Sequence, residues 1–409
     1  MQRTFWLKFA LFNFVIVALL GVVMRYKIPY SLPFLDQKHV QEAHSHFAFY
    51  GWITNILYVL LTDYLLKNLP NLNVRKYRYL IIANLTASFA MLGLFIYGGY
   101  FWGSIAASAA ALFVSFGFAY CFYMDSRKLQ DTSKIWFLGG LFFAVISSAG
   151  VFNLGYMMSS NNVTQDWYLG SEYYYLHFQY NGFFIFSCIG LLLYSLKEAG
   201  SSIGARENRL LFWLMFIGCL IGFGLSVLWL KLPVYIFVII VIASLMQTAG
   251  AVMLYNFVKR SWTHLVLKWS PMQRFVLIFV GFAFAVKIAL QLGSNIPALS
   301  QFAFGFRNVV IAYLHLVLLM CIATFLVSQI LATNYFTIGK TLLLGLKIYL
   351  LGIFLQEALL GIMGVLSIKY ISLPFSQHLL LAVAVLIFIG LVIMFFNLKR
   401  KNTQQISKI

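Results

Sequence analysis

The chain has 409 residues, of which 62% are hydrophobic and 10% charged, and its mean hydropathy is +0.88. Soluble domains carry roughly 25% charged residues, so this composition excludes a soluble globular protein and indicates an integral membrane protein. The 29 basic residues exceed the 10 acidic ones by 19, but they gather in the connections between apolar runs, which excludes nucleic-acid binding as the reason for the surplus.

A bilayer core needs about 20 apolar residues per helix. Twelve runs meet that length, at approximately 5–24, 44–66, 77–99, 101–124, 134–158, 173–196, 209–230, 232–257, 273–293, 307–333, 341–366 and 374–397. The expected fold is all-α and polytopic, a single transmembrane domain over residues 1–409. The first run has no small-residue cleavage site and leads directly into "RYKIPY", which predicts a retained span. The even-numbered connections and the two ends hold 21 of the Lys and Arg residues and the opposite connections six, with Lys287 and Lys347 inside runs. The positive-inside bias then places both termini in the cytoplasm, and a preference for anionic head groups follows. Cys121, Cys188, Cys219 and Cys321 all fall inside runs without a CxxC pair, so neither a disulfide framework nor a zinc site is suggested. No P-loop, Rossmann fingerprint, CxxCH haem-attachment site or internal repeat is evident.

Runs two, six, ten and twelve enter from the outer face and carry His44 and His46, His177, His315 and His378 near that end; His39 lies just before run two, and only His264 is cytoplasmic. Intramembrane ionisable groups are costly and usually face a bundle interior or a cavity. His315 lies about 12 Å past Arg307 along the helix axis, where an unpaired polar group costs several kcal/mol. His44 and His46, two residues apart at about 100° each, project to nearly opposite faces. His46 is deeper and is followed by Gly51-Trp52, which favours it for the interior, with His44 second. For His39, His264 and His378 the plain reading is an interfacial or hydrogen-bonded ring.

Neutral imidazole is the commonest metal ligand, and haem iron held by axial histidines is a familiar use of a helix-bundle interior. A structural zinc site would want four close ligands, usually including Cys or carboxylate; here "HFAFYGW" and "EYYYLHFQYNGFF" offer histidines and flat apolar walls. Glu357 and Lys287 sit toward the outer half of their runs, as a proton relay, a polar cavity or a structural ion pair, and Tyr313 joins this polar set beside His315. Asp63 and Lys347, near cytoplasmic ends, read as solvated or snorkelling. Arg307 is either a bidentate partner for haem propionates or an ordinary interfacial arginine. Tyr173, Tyr174, Tyr175 and Tyr180 either orient His177 or belong to an aromatic belt.

Twelve helices with cytoplasmic termini and histidines at the outer ends of helices two, six and ten resemble the catalytic subunit of haem–copper oxidases and nitric oxide reductases. The stretch "HSHFAFYGW" is similar to the H-x-H-x4-G-aromatic signature of the NnrS family, haem- and copper-containing membrane proteins associated with nitric oxide stress. The topological likeness covers essentially the whole chain, whereas the motif is short. The resemblance implies an oxidase subunit I-like bundle in a bacterial inner membrane, histidines toward the periplasm, with quinol or a separate redox protein as electron donor. It implies His46 or His44, with His315, as axial ligands of one low-spin haem b, and His177 where the family places its first copper-site histidine. The pattern departs at helix seven, where "RLLFWLMFIGCLIGFGLSVLWLK" lacks the histidine pair, and at helix ten, where Tyr313-Leu314-His315 or His315-Leu316-Val317 replaces H-x-H. The copper ligand set is therefore incomplete. The implied function is respiratory electron transfer, or the binding, sensing or turnover of a diatomic gas, nitric oxide ahead of oxygen, with an oxidoreductase activity of this type left open. Two other classes stay open: a secondary transporter using Glu357, Lys287, Gln247 and Asn181, and an oxidase-like scaffold without cofactor.

Overall fold

The computed structural model describes residues 3–230, 232–333, 335–371 and 373–401; the side chains of 301–304, 307 and 368 lie outside that description. The long helices are α1 (Arg3–Tyr26), α2 (Gln37–His46, Phe47–Thr54 and Asn55–Asn68 in one rod), α3 (Val74–Gly98), α4 (Trp102–Ser126), α5 (Lys134–Ser159) and α6 (Gln165–His177, Phe178–Phe184 and Ile185–Glu198 in one rod). They continue with α7 (Ala205–Gly222, extended by a 3₁₀ turn Phe223–Val227), α8 (Val234–Arg260), α9 (Pro271–Gly293), α10 (Arg307–His315, Leu316–Ala323 and Thr324–Ala332 in one rod), α11 (Lys340–Ile368) and α12 (Ser376–Asn397). Local sequence sets several ends. Asp36 caps α2 by accepting from the amides of Lys38 (2.8 Å) and His39 (3.0 Å). Ser270 and Gln273 close a reciprocal capping box on α9, with Pro271 at its first turn.

Among the described residues, eleven helices are long and apolar enough to cross a membrane, which makes the chain an all-α polytopic membrane protein. Of the twelve runs expected, α2 is the one outside this set. The reason is its polar content, Thr54, Asn55, Thr62 and Asp63, combined with its position. Every residue from Phe49 to Thr62 is buried, and a helix buried all round faces protein rather than lipid, so it need not be uniformly apolar.

The chain divides into two compact units, Met1–Cys121 with Leu326–Ile409, and Phe122–Phe325. Both boundaries fall inside helices, α4 and α10, where composition does not change. In the first unit α2 is the central rod. Trp52 stacks on Phe14 of α1 (centroids 4.5 Å, 2°) and Tyr58 on Phe118 of α4 (3.8 Å, 7°). At the far end of α2, Asp63 pairs with Arg3 (2.8 Å) and Lys67 (3.7 Å) rather than lying solvated. Arg3 also donates to the Tyr335 hydroxyl (2.5 Å), next to an antiparallel strand pair, β1 (Phe336–Thr337) with β2 (Lys399–Arg400).

In the second unit the central rod is α6. In its most apolar 18-residue stretch 94% of residues are buried, against 28% for α8, so α6 is the hub and α8 lies at the rim. α5 comes so close to α6 that a Cβ on Gly182 would stand 2.4 Å from Cβ of Phe143; only glycine fits there. The Trp136 indole of α5 donates to Asn208 of α7 (2.8 Å). The hub of each unit is thus a histidine-bearing helix.

Candidate functional site

His46, His177 and His315 share one local structure that spacing along the chain does not reveal. Each is the last α-helical residue before a π-helical stretch, Phe47–Thr54, Phe178–Phe184 and Leu316–Ala323. Such widened turns are rare and concentrate at functional positions, because the extra residue per turn re-aims side chains and frees backbone groups. Neighbouring helices take up carbonyls of the first stretch: the Asn13 amide donates to Gly51 O (2.6 Å) and the Asn84 amide to Tyr50 O (3.0 Å). Two of the three stretches share a sequence pattern, "HFAFYGW" and "HFQYNGF", or His-Phe-x-aromatic-x-Gly-aromatic. That short repeat is the sequence signal that could have disclosed the shared geometry.

Hydrogen-bond partners assign the ring tautomers. A carbonyl oxygen only accepts, so a ring nitrogen facing one carries the proton. His46 Nδ1 donates to Glu42 O, one turn back on its own helix (2.9 Å), and His315 Nδ1 does the same to Ile311 O (2.8 Å). His44 Nδ1 donates to Val17 O on α1 (3.1 Å). All three therefore keep the lone pair on Nε2, with the opposite N–H anchored on a backbone carbonyl, as metal-bound imidazoles usually are. His44 and His46 take different neighbours: His44 lies against Val17 and Gly21 of α1, whereas the His46 ring stacks on Phe95 of α3 (4.2 Å, 27°) and its Nε2 accepts from the Tyr100 hydroxyl (3.3 Å).

His177 is the reverse tautomer. Its Nε2–H donates to Cys219 O (2.9 Å), while Nδ1 faces the Asn181 amide (3.2 Å) and the Ser226 hydroxyl (3.5 Å). The carbonyl of Cys219 is available because α7 gives way to a 3₁₀ turn just beyond it, where Phe223 N–H turns to Ile221 O. His177 is buried and closes that break, with both ring nitrogens engaged. Its partners come from Asn181, Ser226 and Cys219; of the tyrosines read either as orienting it or as belt residues, Tyr173 lies against Trp229, Tyr174 against Phe178 and Phe223, and Tyr180 edge-on to Tyr313 (6.3 Å).

The remaining polar residues are divided between the two units. Lys287 is buried and donates to Gln291 Oε1 (2.5 Å), whose amide donates to Gln247 Oε1 (2.6 Å), so an amide chain of the second unit takes up the ammonium. Glu357 belongs to the first unit, and its Oε1 is buried without a hydrogen-bond partner among the described residues. Arg307 opens α10, its side chain lying outside the described residues. His378 is exposed, edge-on to Tyr30 (5.8 Å), and His264 is exposed on the short helix Trp262–Lys268. Tyr100 and Gln291 are contributors that the sequence reading missed.

Among the described residues, no group of three or more His, Cys, Asp or Glu could hold a metal ion by itself. The donors on offer are single imidazoles beside aromatic rings. That set fits a haem, whose porphyrin supplies four of the iron's ligands and leaves the axial ones to the protein, and does not fit a copper centre built from side chains alone. No protein-family model matches the chain, and no curated protein matches it in sequence.

Proposed function

We propose that the protein is a haem b-binding membrane protein of the oxidase-like type, with His46 and His315 as axial ligands and His44 as the alternative to His46. The observation carrying this reading is the shared state of these imidazoles, with Nδ1–H anchored on a backbone carbonyl and the Nε2 lone pair retained, His46 and His315 each standing at the start of a π-helical stretch. The protein's part is to hold each ring in that tautomer and to wall the site with apolar side chains such as Phe95. Haem held by these residues would supply a one-electron centre or a binding place for a diatomic gas. Its surroundings in this proposal are the bacterial inner membrane, with the histidine-bearing ends outward and quinol or a separate redox protein as electron donor. Nitric oxide is favoured over oxygen, because His177 is engaged structurally and, among the described residues, no group of three or more His, Cys, Asp or Glu could hold a metal ion.

The test is the reduced-minus-oxidised optical spectrum of detergent-purified, haem-supplied protein, with His46→Ala, His44→Ala and His315→Ala. Sharp haem b bands that weaken in the His315 variant and in one of the other two support the proposal. Intact protein with a featureless spectrum overturns it. A second reading, a secondary transporter, is favoured by the Lys287–Gln291–Gln247 chain, a polar array inside apolar helices. A haem-free protein whose Lys287→Met variant loses substrate flux would put that reading first.

A further inference from the structure

Between α3 and α4 the chain makes a tight turn, "GGYFWGS", whose placement over His46 is heavily determined. Gly99 adopts φ +61°, a left-handed conformation that side chains rarely take. The His39 ring lies directly on it, so that a Cβ there would come within 2.5 Å of the imidazole, and Glu42 Oε2 lies 3.1 Å from the same point. Ser104 ties the turn together, its hydroxyl donating to Gly99 O (2.7 Å) and accepting from the Phe101 amide (3.0 Å). Tyr100, between these anchors, is half exposed, yet its hydroxyl is turned inward, 3.3 Å from His46 Nε2. Phe95 completes an aromatic box, 4.2 Å from the His46 ring and 4.9 Å from that of Tyr100.

The tautomer gives this contact its direction. Because His46 Nδ1 carries the proton, Nε2 can only accept, and the Tyr100 O–H is the donor. The hydroxyl therefore sits on the lone pair that any metal or other electrophile must use. We infer that Tyr100 is a removable cap on His46: its hydroxyl covers Nε2, and the 98–104 turn must shift before that nitrogen can be ligated. This inference rests on the haem-ligand reading for its purpose, but the cap itself concerns only the accessibility of one nitrogen. Glu42 is part of the device. It is buried with Oε2 lacking a hydrogen-bond partner among the described residues and lies beside Gly99, where it offers an acceptor for the Tyr100 hydroxyl once the turn moves. Tyr100 is thus a positioning residue, keeping the ring in the tautomer that binds and excluding solvent protons from its lone pair until a ligand arrives.

The cap is tested by carbethoxylation of full-length protein, purified in detergent from haem-limited cells, with diethyl pyrocarbonate, which attacks unprotonated imidazole nitrogen. Peptide mass spectrometry reads each histidine separately. Tyr100→Phe, which removes only the hydroxyl, is expected to speed modification of His46 about fivefold, the factor that one hydrogen bond of ordinary net strength withholds, with His44 and His315 unchanged as internal references. Ser104→Ala, which loosens the turn without touching the ring, is expected to act in the same direction. Equal His46 rates in wild type and both variants would overturn the cap. Hemin titration of the same samples, read by the Soret band, separates the two ideas: faster uptake in Tyr100→Phe supports both, whereas faster carbethoxylation with no hemin uptake in any sample keeps the cap and removes the haem reading.

Discussion

Replacing His177 with leucine discriminates between a structural and a metal-binding histidine. Leucine has a comparable bulk but no ring nitrogens, so the Cys219 carbonyl at the α7 break loses the donor that held it at 2.9 Å, and the Asn181 amide loses its acceptor at 3.2 Å. A buried polar group left unpaired costs about 1–3 kcal/mol, while hydrogen bonds inside bilayers average only about 0.6 kcal/mol because the unfolded chain finds other partners. Two such groups at the break therefore put the expected loss between about 1 and 6 kcal/mol. The assay is unfolding of the purified protein in a mixed-micelle denaturant titration, with metal analysis of the same samples. His177→Gln, which can still donate to the carbonyl, should recover part of the loss. A leucine variant as stable as wild type that had lost a bound metal would refute the structural assignment and make His177 a ligand.

Other perturbations follow from close contacts and charges. Gly182→Ala places a methyl group 2.4 Å from Phe143 Cβ and should cost about 1–3 kcal/mol through overpacking, read by the same titration; Gly93→Ala on α3, where no atom lies within 4 Å, should leave stability nearly unchanged. The Asp36 carboxyl is held below its ordinary value of 3.8 chiefly by the His39 amide that donates to it. Its support of the start of α2 is therefore fully present above that value and fades as the pH falls through the lower folded one. Hydrogen-exchange protection of the Lys38 and His39 amides, corrected for intrinsic rates, should drop only in strongly acidic buffer, and Asp36→Ala should show low protection at every pH.

The helices were legible because a bilayer demands long apolar runs, and that constraint writes itself into composition. α2 shows where the rule loosens: Asn55 and Thr62 lower its hydropathy because its neighbours are protein, not lipid. The two-residue spacing of His44 and His46 foretold that their rings would diverge, toward Val17 on one side and Phe95 on the other. The π-helical stretches show in the sequence only as the short His-Phe-x-aromatic-x-Gly-aromatic pattern that two of them share. They depend on backbone carbonyls finding partners such as Asn13 and Asn84, which lie 38 and 34 residues away in the chain. The engagement of His177 was hidden for the same reason, since it answers a helix break at Cys219. Tyr100 carries no signal of its own in the sequence, and its orientation follows from the backbone of Gly99.

The division of the chain also has a temporal side. The first unit is written in two instalments, with about 200 residues of the second synthesised between them. α1 packs along α12, and β1 pairs with β2, only after the last segments have left the ribosome. Until then Arg3 lacks the Tyr335 hydroxyl and Phe14 the edge of Tyr349. Late closure of this kind leaves these long-range contacts to form last, which slows completion of the fold. The strand pair, two residues long on each side, then joins the segments that follow α10 and α12.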